Sequence, residues 1–121
     1  VTLRDVHEAW GWVLTLSNAA VGGWALAAFR WPALHRRALW WCVAFAQVTI
    51  LVQAFVGVAM ASRYDIELPQ MHALYGFSGI AAVGILYSYR TSHFMKGKEL
   101  LLYGFGCLFI MGLGIRAMIL M

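Results

Sequence analysis

Four long apolar runs alternate with three short polar breaks along the 121 residues of the chain. The runs cover about Val6 to Phe29, Ala38 to Ala61, Gln70 to Tyr89 and Glu99 to Met121. Helical segments of about 20 residues cross a hydrocarbon layer about 30 Å thick, so each run has the length of a membrane span. The breaks carry the residues that stop helices. Arg30-Trp31-Pro32 ends the first run, because proline removes a backbone donor. Pro69 precedes the third run, where the first helical turn tolerates a missing N–H. Short turns force antiparallel neighbours. The pattern therefore predicts an all-α, integral membrane, up-down-up-down four-helix bundle, one transmembrane domain over residues 1–121. The first and third runs open alike, which makes a weak repeat of two helical hairpins about an axis along the membrane normal. The first run is too long for a signal-peptide core and carries Asp5 and Glu8 at its front, so it is read as a span.

Composition agrees with the pattern. The chain is 63% hydrophobic and 12% charged, more apolar surface than a soluble domain of this size can hide. Its formal net charge of +4 lies in short turns between spans, which points to a lipid bilayer and not to nucleic acid. Arg30, Arg36, Arg37, Arg90, Lys96 and Lys98 fall on one side. Arg4, Arg63 and Arg116 fall on the other, with Asp5, Glu8, Asp65 and Glu67. The excess of basic residues places the first side in the cytoplasm, with both termini outside, as in a multi-pass plasma-membrane protein. Cys42 and Cys107 lie inside apolar runs and form no CxxC or CxxCH, which excludes covalent c-type haem attachment. Both are expected to be small buried hydrophobes.

Candidate chemistry gathers at two matching places. Val6-His7-Glu8-Ala9-Trp10-Gly11-Trp12 opens the first run, and Gln70-Met71-His72-Ala73-Leu74-Tyr75-Gly76-Phe77 opens the third. In each, a histidine is followed by two residues, an aromatic, a glycine and a second aromatic. An even number of crossings separates His7 from His72, so the imidazoles are expected at the same depth on the outer side. His7, Gly11, Asn18 and Gly22 share one helix face by their spacing, as do His72, Gly76, Gly79 and Val83. Bundle cores hold haem between axial imidazoles on facing helices. A flat macrocycle also needs room beside its ligands, which Gly11 and Gly76 supply. The expected site is therefore His7 and His72 on the iron of a haem b, flanked by Gly11 and Gly76. Arg116 is the candidate partner for a propionate, and Arg63 and Arg4 are less buried candidates.

Other readings stand beside this one. A histidine at a span's end also serves as an ordinary interfacial polar residue, and a glycine beside it also serves close helix packing. Arg116 can instead reach the outer surface or an acidic partner. Asp5, His7, Glu8, Asp65, Glu67 and His72, with Met60, Met71 and Met118, offer a different ligand set for zinc, iron or copper, without a tight metal-binding spacing. His35 and His93 read as solvated turn residues. Ser17, Asn18, Gln47, Thr49 and Gln53 lie within the apolar runs and should face inward and bond across helices. Gln53 could also edge a quinone pocket open toward the histidines. Gly104, Gly106, Gly112 and Gly114 imply close contact of the fourth run with another helix or chain. Trp10, Trp12, Trp31, Trp40 and Trp41 read as an interfacial aromatic belt, and Trp24 as packing or a lipid contact. Neither a nucleophile–base pair nor a phosphate-cradling loop is visible, so no catalytic activity of its own is expected.

The stretch Gln53-Ala54-Phe55-Val56-Gly57-Val58, followed by a turn and His72, resembles the haem A synthase family, where a Gln and a Gly precede an outer loop and a ligand His. Val6-His7-Glu8-Ala9-Trp10-Gly11 is similar to that family's first ligand stretch. The likeness is one of layout, to a single haem b-binding half with four helices, and more loosely to other small membrane b-type cytochromes. It implies His7 and His72 as axial ligands. The family has two such halves and this chain has one. The glutamate that its catalytic half places three residues before the first His is here Arg4, so oxidation of a haem methyl is not implied. Two functions are carried forward. One is a bis-histidine haem b protein passing electrons in a membrane beside a larger respiratory or redox complex. The other is a cofactor-free accessory or anchor subunit of such a complex.

Overall fold

The computed structural model describes residues 2–65, 67 and 69–119. They form four long helices: α1 (Leu3–Arg30), α2 (Arg37–Tyr64), α3 (Gln70–Arg90) and α4 (Glu99–Ile119). All four are long and apolar enough to cross a membrane. At 1.5 Å per residue the two shorter helices are about 31 Å long, matching the hydrocarbon layer. The expected end of the fourth run, Leu120 and Met121, and the turn residues Ile66 and Leu68 lie outside the described residues.

Local chemistry sets the helix ends. Thr2 caps α1: its hydroxyl accepts from the Asp5 N–H at 3.3 Å, and the Asp5 carboxylate accepts from the Thr2 N–H at 3.2 Å. This reciprocal pair starts the helix at Leu3, a turn before the apolar run. After α1 a single 3-10 turn spans Pro32–Leu34. The indole of Trp24 donates to the Leu34 carbonyl at 2.9 Å, tying that turn back onto α1. Trp24 thus has a specific polar partner. Asp65 closes α2 in the left-handed region, with φ 51°.

Helix α1 packs against α2 and α4, α3 packs against α4 and only sparsely against α2, and α1 and α3 do not pack together. The front of α1 lies beside the later part of α2, where Trp10 Nε1 donates to the Thr49 carbonyl at 2.8 Å. The front of α3 lies beside the end of α4. Leu14, Leu39, Ile50, Cys107 and Ile110 form the heart of the apolar core, and large side chains such as Phe55, Trp41 and Phe105 face outward. In water that surface would be costly, whereas lipid accommodates it.

Glycines set how closely the helices approach. A Cβ on Gly22 would lie 3.0 Å from the Gly104 carbonyl oxygen, so α1 and α4 meet backbone to backbone. A Cβ on Gly106 would collide with Leu86 of α3, and one on Gly114 with Leu14 of α1. Three of the four α4 glycines therefore serve contacts within the chain. A Cβ on Gly112 would meet nothing within 4 Å.

The buried amides divide. Asn18, fully buried, donates to the Leu14 carbonyl and across to Ala46 of α2. Gln47 donates to the Cys107 sulfur at 3.8 Å. Ser17 and Thr49 instead bond back to carbonyls of their own helices, Leu14 and Ala46. The expected cross-helix bonds are absent there because a short hydroxyl reaches the preceding turn first.

Substituting Gly104 by Val, which drives a branched side chain into Leu26, should lower bundle stability by about 1–3 kcal/mol. Gly84→Ala, where nothing lies within 4 Å, should be neutral or stabilising by up to about 1 kcal/mol. Denaturant titration in detergent, followed by circular dichroism, checks both.

Candidate functional site

The front ends of α1 and α3 bring His7 and His72 together. Their ring centroids are 6.0 Å apart and their planes are inclined by 64°. Each imidazole is placed by a different neighbour. The Nδ1 of His72 lies 2.6 Å from the Ala117 carbonyl of α4. A carbonyl oxygen can only accept, so Nδ1 carries the proton and Nε2 of the neutral ring is left with its lone pair free. His7 is buried, at 7% exposure. Its backbone carbonyl accepts from Gln53 Nε2 at 2.8 Å, which fixes the front of α1 on α2. Its ring lies flush against Gly57 of α2, where an added Cβ would come within 3.0 Å of Cε1.

Two polar atoms at this place have no partner. His7 Nδ1 and Gln53 Oε1 are buried and make no hydrogen bond. Leaving a buried polar atom unpaired costs about 1–3 kcal/mol. His7 and Gln53 both line a cavity of about 460 Å³, within the range of about 300–1,000 Å³ that small-molecule sites occupy. His72, Gly11 and Gly76 line it too. A Cβ on Gly11 would touch Gln53 and Met118 at 3.4–3.5 Å, whereas one on Gly76 would stand in open space. The walls are otherwise mostly apolar, with Leu113, Ala54 and Val58 among them.

Of the cationic candidates, Arg4 lines the cavity, and its guanidinium is 3.4 Å from the Glu8 carboxylate. Arg116 is on the exposed side of α4 and Arg63 at the exposed end of α2; neither lines the cavity. Among the described residues no three His, Cys, Asp or Glu side chains come close enough to share a metal ion. Asp5 instead belongs to the α1 cap and Glu8 pairs with Arg4. His35, expected to be solvated, accepts the Trp40 indole N–H at 3.0 Å through Nε2.

Gly57 and Ala117 complete the setting of the histidines. Gly57 was legible only as part of a family-like stretch, because its contact with His7 crosses 50 residues of chain. The Ala117 carbonyl leaves no trace in a side-chain pattern. The chain matches no protein-family profile, no curated protein and no solved structure.

Replacing Gln53 by Ala removes the tie to the His7 carbonyl and should cost about 0.6–2 kcal/mol of stability in detergent. Replacing Ser78, whose hydroxyl bonds only to its own helix at Leu74, should leave stability within about 0.5 kcal/mol. Matched denaturant titrations of the two variants make the comparison.

Proposed function

We propose that the chain is a small membrane b-type cytochrome in which His7 and His72 hold one haem b and pass single electrons to or from a partner redox protein. The single observation that carries this reading is the imidazole pair in the cavity lining, 6.0 Å between centroids. Two imidazoles that shared one iron would need centroids about 6.2 Å apart, from two iron–nitrogen bonds of about 2 Å and two ring radii of about 1.1 Å. Three further features suit the group. The His72 Nδ1–H is held by a carbonyl, the orienting bond that metal-ligating histidines generally make. The His7 ring is buried and lies beside His72 in the lining of the same cavity. Glycines at 11, 57 and 76 keep side-chain bulk away from the imidazoles and the cavity between them.

Each residue's task follows from its place. His72 is presented with its tautomer fixed. Gln53 holds the helix that carries His7, and Gly57 allows the His7 ring to lie flat against α2. Arg4, which borders the cavity, is the residue placed to meet a propionate, with Glu8 as its competing partner. The apolar walls exclude water and lower the local dielectric, which favours the less charged oxidation state. Haem, when bound, supplies one-electron chemistry.

In this reading the bundle runs up-down-up-down in the plasma membrane with both termini outside. The turns that carry Arg30, Arg36, Arg37, Arg90, Lys96 and Lys98 face the cytoplasm. The haem then lies toward the outer surface, where a redox subunit of a larger complex is its partner.

The test is an optical spectrum of the detergent-purified protein expressed with ample haem. Reduction should bring up a sharp low-spin α band. His7→Ala and His72→Ala should each lose at least about 90% of the haem while keeping wild-type helical content by circular dichroism, since one imidazole of two is removed. Gly57→Leu, which displaces the His7 ring, should lower haem occupancy although both histidines are kept. A featureless wild-type spectrum, or full haem in both histidine variants, would leave the accessory-subunit reading in its place.

A further inference from the structure

The four seams of the bundle are unequal. The α1–α2 seam is pinned near the cavity by Trp10 to Thr49 and Gln53 to His7, and deeper by Asn18 to Ala46. The α1–α4 seam is closed by glycine contacts at Gly22, Gly104 and Gly114. His72 to Ala117 and Leu86 against Gly106 close the α3–α4 seam. Among the described residues no side-chain hydrogen bond joins α2 to α3. Ile50 packs on Gly79 below the cavity, where an added Cβ would collide with it. Above that point small residues, Ala54 and Ala61 on α2 and Ala73 and Gly76 on α3, border the cavity. Val58 and Phe77 stand at its edge, each 48% exposed. The seam is thus fastened at its base and loose beside the histidines, with an apolar rim.

We propose that the cavity is entered sideways from the bilayer, through the α2–α3 seam, by a flat and largely apolar macrocycle dissolved in the membrane. This rests on the haem reading above and adds the route. A membrane-dissolved macrocycle meets lipid-like Val58 and Phe77 first and the two imidazoles last. Its carboxylates stay toward the cavity end where Arg4 lies. The α1–α2, α1–α4 and α3–α4 seams need not part, so loading leaves the bonds that position His7 and His72 in place.

Two measurements on the full-length chain in lipid vesicles test the route. In the first, haemin is offered either dissolved in donor vesicles or bound to albumin in water, and uptake is followed in the Soret band. Uptake should be faster from the vesicles. Val58→Trp should slow both uptake and release, uptake by about tenfold, and Phe77→Ala should speed both, because a gate moves the two rates in the same direction whereas a lost or gained contact moves release alone. Equal rates in all three proteins, or faster uptake from albumin, would overturn the proposal. The second measurement needs no haem. Gly76→Cys, placed where added bulk meets nothing within 4 Å, is treated with a pyrene maleimide dissolved in the bilayer or with a sulfonated maleimide confined to water, and peptide mass spectrometry reads the site. Labelling from the bilayer at least about fivefold faster supports the side entrance. Labelling only from water, or by neither reagent in a protein of normal helical content, overturns it. If the wild type takes up no haemin while Gly76→Cys still labels from the bilayer, the cofactor reading falls and the side entrance stands.

Discussion

Helices α1 and α3 face one another without packing together, and the distance between them is set by the helices on either side. Beside the front of α1 stands the later half of α2, drawn in until the His7 ring meets the bare backbone of Gly57. Beside the front of α3 stands the end of α4, whose Ala117 carbonyl grips the His72 ring. A side chain at Gly57 would move His7 and so change the diagonal. The cavity exists because α1 and α3 are held apart, and each of the two helices contributes a histidine to its lining.

Deeper in the bundle the opposite holds. Gly22 and Gly104 let α1 and α4 approach backbone to backbone, and Ile50 fills the space above Gly79. In lipid, apolar burial does not drive helices together, so association depends on close packing and on hydrogen bonds between helices. This chain combines glycine packing and the Asn18 and Gln47 bonds at depth with further hydrogen bonds near the histidines. Trp10, Gln53 and His72 each donate to a backbone carbonyl on a neighbouring helix. Such bonds hold a wall in place while leaving volume unfilled, which tight glycine packing cannot do.

Much of this was legible in the residues. The four helices follow from apolar runs of span length, and their ends moved by only a few residues, chiefly because the Thr2 and Asp5 cap extends α1 toward the N-terminus. The pairing of His7 with His72 followed from their matched settings and the even number of crossings between them. Less was legible where backbone atoms or long-range neighbours decide. Nothing in a side-chain pattern marks Ala117 as the partner of His72. Arg116 looked suited to the cavity by its depth in the fourth run, yet it sits on the exposed side of α4. Depth along a helix is fixed by residue number, but which way a side chain points depends on rotation about the axis, and α4 is apolar on all sides. Ser17 and Thr49 illustrate the same limit, since a hydroxyl can bond to its own helix as readily as to a neighbour.

Two of the buried polar atoms without a partner belong to residues that line the cavity, and two others, on Thr15 and Asn18, lie deeper in α1. A bundle selected only for packing would fill this space with leucine and would need neither Gln53 nor a buried imidazole. Here one Gln53 atom is committed to the His7 carbonyl and the other has no partner, and His7 itself keeps an unpaired nitrogen. Interfacial histidines that merely mark a membrane surface would face headgroups and stay hydrated. These are turned inward, toward each other, in a volume large enough for a ligand. That arrangement suits the haem reading proposed above, and α2–α3 is the most sparsely packed of the four neighbouring helix pairs.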